Sequence, residues 1–169
     1  MIVGCTAKLR ALLGRQAQEP ADPGALPSDW YANLLHIDRR KCLLVTHAET
    51  LFSVFAPDVR AAQLRPLGPV RVPRIVAQLD AEGLAERALG ELDPGQVTIA
   101  PTTGGRSVLG CMNDLALTCR LASEHAGGLS SLDLAELHHV LQRHIYTARG
   151  YVPAIELITG SPPRPCDLS

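Results

Sequence analysis

The polar residues best suited to binding or catalysis recur at helical spacing between Arg106 and Asp114. At about 100° per residue, Arg106, Gly110 and Asn113 fall close to one line along a helix, and Ser107 and Asp114 flank it. An interior glycine costs a helix about 1 kcal/mol relative to alanine, so Gly110 predicts close approach of another backbone or a ligand. The pattern allows a recognition stripe. It also allows a structural use, the commoner one, in which Gly110 packs against a sheet and Asn113 and Asp114 bond loop amides.

The segment TTGGRS, residues 102–107, precedes the start of this helix and follows a short predicted strand. Helix starts of this kind attract anions, so Arg106 and Ser107 are candidates for phosphate binding. The segment lacks the Gly-x-x-x-x-Gly-Lys-Ser/Thr pattern of a phosphate loop, and two glycines with an arginine are weak evidence. A helix cap preceded by a turn explains the same residues.

A second candidate surface is the basic run Arg39, Arg40 and Lys41 at a predicted hairpin tip. A positive cluster on a turn can contact phosphates or an acidic partner. No aromatic residues interleave with it, so the stacking part of a platform for single-stranded nucleic acid is missing. Charged turns commonly serve only solubility.

Histidines and cysteines complete no catalytic pattern in this sequence. Glu136 and His139 are three residues apart and could share a metal, but no second ligand pair accompanies them, so no metal site is predicted. There is no Gly-x-Ser-x-Gly motif and no cysteine at an evident electropositive helix start. We therefore assign no catalytic residue and no cofactor from the sequence.

The elements that position these residues centre on the segment WYANLLHIDRRKCLLVTHAETLFSVF. It predicts three antiparallel strands, 30–37, 42–47 and 50–55, with a type I turn over residues 38–41. Their apolar residues lack a clean alternation, which indicates a sheet covered on both faces.

Shorter patterns predict the remaining elements. Strands are expected at 1–5 and 97–100. Ser131 is expected to cap the second of the two long carboxyl-terminal helices. The predicted helices span residues 7–13, 72–79, 84–89, 106–125, 132–144 and 154–158.

Length and composition are those of one globular domain. The chain has 169 residues, of which 46% are hydrophobic and 20% charged, with a net charge of −1. We expect one domain over residues 1–160, with a flexible loop at 15–28 and a disordered proline-rich tail at 161–169. The near-neutral balance argues against unspecific nucleic-acid binding. The odd cysteine count without a Cys-x-x-Cys pair and the absence of a long apolar run predict a cytoplasmic protein without a membrane partner.

Several segments resemble one uncharacterised bacterial family that is catalogued as a domain of unknown function. They are DWYANL from Asp29, DRRKCLL from Asp38, LFSV from Leu51 and RSVLGCMNDL from Arg106, together with the opening thirteen residues. The resemblance covers most of the chain except residues 15–27 and the tail from Ser161. It implies no activity, substrate or catalytic residue.

These observations predict an α+β domain in which carboxyl-terminal helices cover a small, mostly antiparallel β-meander sheet. The leading hypothesis is a non-enzymatic, cytoplasmic interaction or regulatory module that binds a protein or nucleic-acid partner. The alternative is a small phosphate-handling enzyme, a nuclease or nucleotide hydrolase, that uses Arg106, Asp114 and a histidine. A third interpretation makes the stripe a self-association surface of a homo-oligomer.

Overall fold

The structure is a computed structural model that describes residues 1–14, 29–102 and 106–160. The predicted loop at 15–28, the predicted tail and the turn residues 103–105 lie outside the described residues. The side chains of Arg106 and Ala148 lie outside them as well.

The described residues form an α+β fold around a five-stranded mixed sheet of order β4-β3-β2-β1-β5. The hairpin strands β2, β3 and β4 are antiparallel, whereas β1 lies parallel to both β2 and β5. The prediction of a mostly antiparallel sheet was therefore wrong, because two of the four strand pairings are parallel. The strands are β1 Ile2–Cys5, β2 Trp30–Ile37, β3 Arg40–His47, β4 Ser53–Ala56 and β5 Thr98–Pro101.

The first strand of the chain, β1, lies between β2 and the last strand, β5, which forms the far edge of the sheet. Ile2–Cys5 pairs with the start of β2, so that Val3 lies opposite Trp30 and Cys5 opposite Ala32. Sequence separation hides such pairings, since parallel partners need a crossover connection and leave no turn signal.

Apolar side chains line both faces of the sheet, as the missing alternation predicted. One cluster contains Trp30, Ala32 and Leu34 of β2 and packs against α1, α2 and α5. The other contains Tyr31, Leu35 and Ile37 of the same strand and packs against α3 and α4. The five α-helices of the described part are α1 Ala7–Leu13, α2 Leu67–Ala81, α3 Arg106–His125, α4 Leu134–Arg143 and α5 Ala154–Thr159.

The β2–β3 connection is tighter than the predicted type I turn over four residues. Asp38 and Arg39 form a two-residue loop with φ of +49° and +63°, while Arg40 and Lys41 already belong to β3. Positive φ at both central positions is the type I′ geometry, which matches the right-handed twist of paired strands. The Asp38 carboxylate also accepts a hydrogen bond from the Leu129 amide at 2.6 Å, which secures the tip.

Two helix predictions need correction. Residues 84–89 form turns instead of a helix, because a six-residue segment bounded by Gly83 and Gly90 is too short to offset the cost of helix nucleation. The cap of α4 is Asp133 rather than Ser131, since the Asp133 carboxylate accepts from the amides of Ala135 and Glu136.

Candidate functional site

Helix α3 is the longest helix within the described residues, and one side of it is exposed. Its inward residues, among them Val108, Met112 and Leu115, are buried against the sheet. The outward residues make up what we call the α3 face. They are Ser107, Gly110, Asn113, Asp114, Leu117, Arg120, Leu121, Glu124 and His125, all of them exposed. The predicted stripe residues 107–114 therefore share one surface, apart from Arg106, whose side chain is not described.

The structure contradicts the packing predicted for Gly110, whereas the predicted bonding of Asn113 and Asp114 to loop amides stays a prediction, because residues 103–105 lie outside the described residues. A Cβ added to Gly110 would meet no described atom within 4 Å, so Gly110 faces open space and does not pack against the sheet. The side chains of Asn113 and Asp114 are exposed, and no described residue forms a hydrogen bond or ion pair with either of them. The helix-interior glycine is thus unexplained by the contacts of the described chain.

Two apolar side chains lie in the middle of the α3 face. Leu117 is 51% exposed and Leu121, one turn later, is 53% exposed. Arg120 lies on the same face as Asp114 and Glu124, so the described part of the α3 face carries one basic and two acidic side chains and no strong charge of either sign. The α3 face therefore combines a glycine with open space around it, two exposed leucines and an exposed amide side chain.

The buried side of α3 offers no nucleophile. Burial raises the pKa of the Cys111 thiol and raises that of Cys119 to about 12. The buried Tyr146 hydroxyl donates to the Cys111 carbonyl oxygen at 3.5 Å, and burial raises the pKa of Tyr146 as well. These groups stay protonated at neutral pH, which suits a packed interior and not covalent catalysis.

The basic residues 39–41 lie far from the predicted stripe. The hairpin tip contacts the carboxyl-terminal end of α3, where Ser123 Oγ lies 3.5 Å from Asp38 Oδ2. Asn113 precedes Ser123 by ten residues, which corresponds to about 15 Å along a helix. Arg39 and Arg40 are exposed, and Arg40 lies 3.8 Å from the exposed Asp58. The structure thus separates the two candidate surfaces.

Two side chains of α4 cap the free edge of the sheet, a role that sequence reasoning missed. Gln142 accepts from the Ser53 amide at 3.1 Å and donates to the Ser53 carbonyl oxygen at 2.6 Å. His138, one turn earlier, accepts from the Phe55 amide at 3.0 Å through Nε2. The two side chains pair with the edge strand β4 as a neighbouring strand would. Polar residues at positions adjoining the buried Leu137 and Leu141 were the available signal.

The histidines are dispersed and none of the described ones contacts Asp114. His138 accepts a hydrogen bond from the Phe55 amide of β4. The Nδ1 atom of His47 lies 3.0 Å from Thr50 Oγ1, and the His47 ring lies 5.0 Å from the ring of Trp30. Burial lowers the pKa of both imidazoles, which favours their neutral forms. In the described part of the chain, no three His, Cys, Asp or Glu residues are grouped in a way that could hold a metal ion.

A buried arginine on α2 is the second feature that sequence reasoning missed. Arg71 is 1% exposed, although no described carboxylate forms an ion pair with it. Its position four residues after Leu67 and four before Ile75 places a cation on the apolar side of α2. That spacing was visible in the sequence, but the helix was predicted to begin only at Val72.

Comparison with known proteins assigns the chain to a family but gives no activity for it. The model of a family described as a domain of unknown function, DUF6933, matches residues 2–157, which confirms the resemblance inferred from the sequence motifs. No curated protein and no solved structure matches the chain. None of the helices within the described ranges combines the length and apolar character that a membrane crossing requires.

Proposed function

We propose that this chain, which belongs to the DUF6933 family of unknown function, is a non-enzymatic module that binds a protein partner through the α3 face. The observation that carries the proposal is Gly110, which has open space around it on an otherwise regular 20-residue helix. A partner backbone or side chain that approaches α3 closely would supply the reason for a residue that weakens the helix by about 1 kcal/mol.

The chemistry of the α3 face favours a protein over a nucleic acid. Leu117 and Leu121 each leave about half of their surface in water next to Asn113. Burying two leucines against a partner removes apolar area that the fold itself leaves exposed. The mixed charges on this face would not release many counterions from a phosphate backbone.

The alternative of a phosphate-handling enzyme has no supporting geometry in the described residues. Asp114 is exposed on α3, and no described histidine forms a hydrogen bond or ion pair with it. A general base needs hydrogen-bond reach to its partner or to a shared water. A cytoplasmic location is part of the proposal, and the free, buried Cys5, Cys42, Cys111 and Cys119 are consistent with it.

A Gly110→Arg variant tests the proposal without endangering the fold. The new side chain enters open space, and arginine has a higher helix propensity than glycine, so we expect the unfolding free energy to stay equal or rise by about 0.5–1 kcal/mol. A benzophenone cross-linker at Leu117, used in cells that naturally express the chain, identifies the partner. Binding of that purified partner should fall at least tenfold in Gly110→Arg.

Gly110→Ala adds only a Cβ, which a closely approaching partner would meet, so its affinity for the partner should fall less than that of Gly110→Arg. The matched control is Tyr151→Arg, which introduces the same side chain at a residue that is 64% exposed and lies off α3, and it should retain the affinity of the native chain. Equal affinity of Gly110→Arg and the native chain would overturn the proposal. A cross-link between two copies of the chain would identify the partner as a second copy, which is the self-association interpretation.

A further inference from the structure

The hairpin tip between β2 and β3 is a basic surface that the proposed function does not use. The consecutive residues Arg39, Arg40 and Lys41 supply three positive charges there. Arg60 adds a fourth beside them, because the amide of the preceding Val59 donates to the Lys41 carbonyl oxygen at 2.7 Å. We call these four basic residues the basic tip. The three arginines are exposed and the lysine is half-buried.

The described part of the chain leaves most of this positive charge unpaired. Apart from Asp58, no described residue forms a hydrogen bond or ion pair with a side chain of the basic tip. The Asp58 carboxylate lies 3.8 Å from Arg40 Nη1, which is beyond hydrogen-bond distance. Even with the neighbouring Asp38 counted, four basic side chains face two acids, whereas the whole chain has a net charge of −1. Positive charge is therefore concentrated at this end of the molecule.

Contacts with other elements hold the backbone of the basic tip in place. Asp38 Oδ2 accepts a hydrogen bond from the Leu129 amide at 2.6 Å and lies 3.5 Å from Ser123 Oγ near the end of α3. Arg40 and Lys41 lie within the paired part of β3. The basic side chains thus project from an anchored backbone, so a partner has to order side chains only, which lowers the entropy cost of binding.

Arg39 has a backbone conformation that is unfavourable for its residue type. Its φ of +63° lies in the left-handed region, which glycine adopts without the steric cost that a Cβ brings. The exposed side chain of Arg39 makes no hydrogen bond or ion pair with a described residue that would offset this cost. Strained residues that the surrounding structure holds in place are concentrated at functional sites. The strain distinguishes the basic tip from a charged turn that serves solubility only.

The chemistry of the basic tip fits the carboxylates of a protein better than a nucleic acid. Guanidinium groups bind carboxylates through two parallel hydrogen bonds. Binding to a nucleic-acid backbone depends on the number of phosphates that are neutralised, and four cations supply few such contacts. No phenylalanine, tyrosine or tryptophan lies among residues 38–41 or 57–60, so these segments offer none of those rings for base stacking.

We propose that the basic tip binds an acidic segment of a partner protein, whose neighbouring aspartate or glutamate carboxylates pair with Arg39, Arg40 and Lys41. A carboxylate of the partner takes the place of the distant Asp58 beside Arg40. This surface is separate from the α3 face, and it stands or falls independently of the proposed function.

The test is a titration of the ¹⁵N-labelled full chain with a hexa-glutamate peptide, and with hexa-glutamine at equal ionic strength. We expect hexa-glutamate to give saturable shifts of the Arg39, Arg40 and Lys41 amides with one dissociation constant, and hexa-glutamine to give none. The absence of saturable shifts at the basic tip would overturn the proposal. Tighter binding of a short DNA duplex at the same amides would also overturn it, in favour of a nucleic-acid partner.

Two double variants separate the basic tip from general charge effects. Arg39→Gln/Arg40→Gln removes two charges from the tip, and we expect its affinity for hexa-glutamate to fall at least tenfold. The matched control is Arg74→Gln/Arg87→Gln, which removes two charges from exposed arginines of α2 and of the turns after it. It should bind the peptide as the native chain does. Equal peptide affinity of the two double variants would exclude the site, and the titration of the native chain decides the question even where the tip variant does not fold.

Discussion

Arg39 combines two roles that the sequence suggested separately, a basic surface residue and a turn residue. Its φ of +63° lies in the left-handed region, as does the +49° of Asp38 before it. Aspartate adopts this region more readily than arginine does, and here its carboxylate also anchors the Leu129 amide. Arg39 therefore carries backbone strain at an exposed position.

Replacing Arg39 with glycine should stabilise the fold. A non-glycine residue in the left-handed region costs about 1–2 kcal/mol, and the entropy cost of glycine offsets part of that. We expect Arg39→Gly to raise the free energy of unfolding by about 0.5–1 kcal/mol, measured by urea denaturation.

Arg39→Ala is the matched control, because it removes the same charge and keeps the strained Cβ. Its stability should stay close to that of the native chain. An equal gain in both variants would show that relief of charge repulsion with Arg40, and not backbone strain, was responsible.

At the scale of secondary-structure elements, the main contact to explain is the one between helix α4 and the edge strand β4. His138 and Gln142 cover the amide edges of Phe55 and Ser53, which would otherwise form an open sheet edge. The Phe55 amide donates to His138 Nε2, so the neutral ring carries its proton on Nδ1. Protonation would turn Nε2 into a donor towards the Phe55 carbonyl oxygen, 3.2 Å away, and leave the amide without its acceptor.

This arrangement predicts a loss of stability in mild acid. Burial lowers the pKa of folded His138 below the ordinary value of 6.5, while the nearby Glu82 carboxylate opposes the shift. The unfolded chain consequently binds the proton more readily than the folded chain does. The contribution of neutral His138 to the free energy of unfolding should be fully present above about pH 6.5. It should decline as the pH falls from there towards the lowered pKa of the folded state.

His138→Gln removes this titration and keeps a neutral side chain that can accept a hydrogen bond. Between pH 7 and 5, its free energy of unfolding should decline less steeply than that of the native chain, as measured by urea denaturation. His47 is shifted in the same direction, so part of the slope should remain in the variant. Glu82, which follows the end of α2 and pairs with Arg143 at 3.0 Å, is the charged group near His138, and it is the same in both proteins. The same dependence of the unfolding free energy on pH in His138→Gln and in the native chain would contradict the prediction.

On the scale of the whole molecule, one sheet separates two apolar clusters. Trp30, the single tryptophan of the chain, lies in the cluster with α1, α2 and α5, while the longest helix, α3, lies in the other cluster. Successive residues of β2 alternate between the clusters. Neither layer can therefore lose its packing without exposing the central strand that the other layer needs.

We expect residues 1–160 to unfold as one cooperative unit. Tryptophan fluorescence reports the α2 side of the sheet, and circular dichroism at 222 nm is weighted towards α3. Urea transitions followed by the two probes should have the same midpoint and the same slope. Separate midpoints would indicate two independently folding layers and would contradict the single-domain prediction.

The sequence by itself determined the elements whose signals are local. The bounds of α3 followed from an apolar pattern repeating over twenty residues, and the hairpin followed from adjoining apolar runs with charged residues between them. These features depend on neighbours within a few residues, which a single sequence displays directly.

Only the tertiary structure decided the features that join distant parts of the chain. The parallel pairings of β1, the capping of β4 by His138 and Gln142, and the burial of Arg71 beside Met1 each connect residues about 30 to 100 positions apart. Such contacts arise from the packing of whole elements and leave no periodic trace. For the same reason the open space around Gly110 became visible only from the positions of the other described elements.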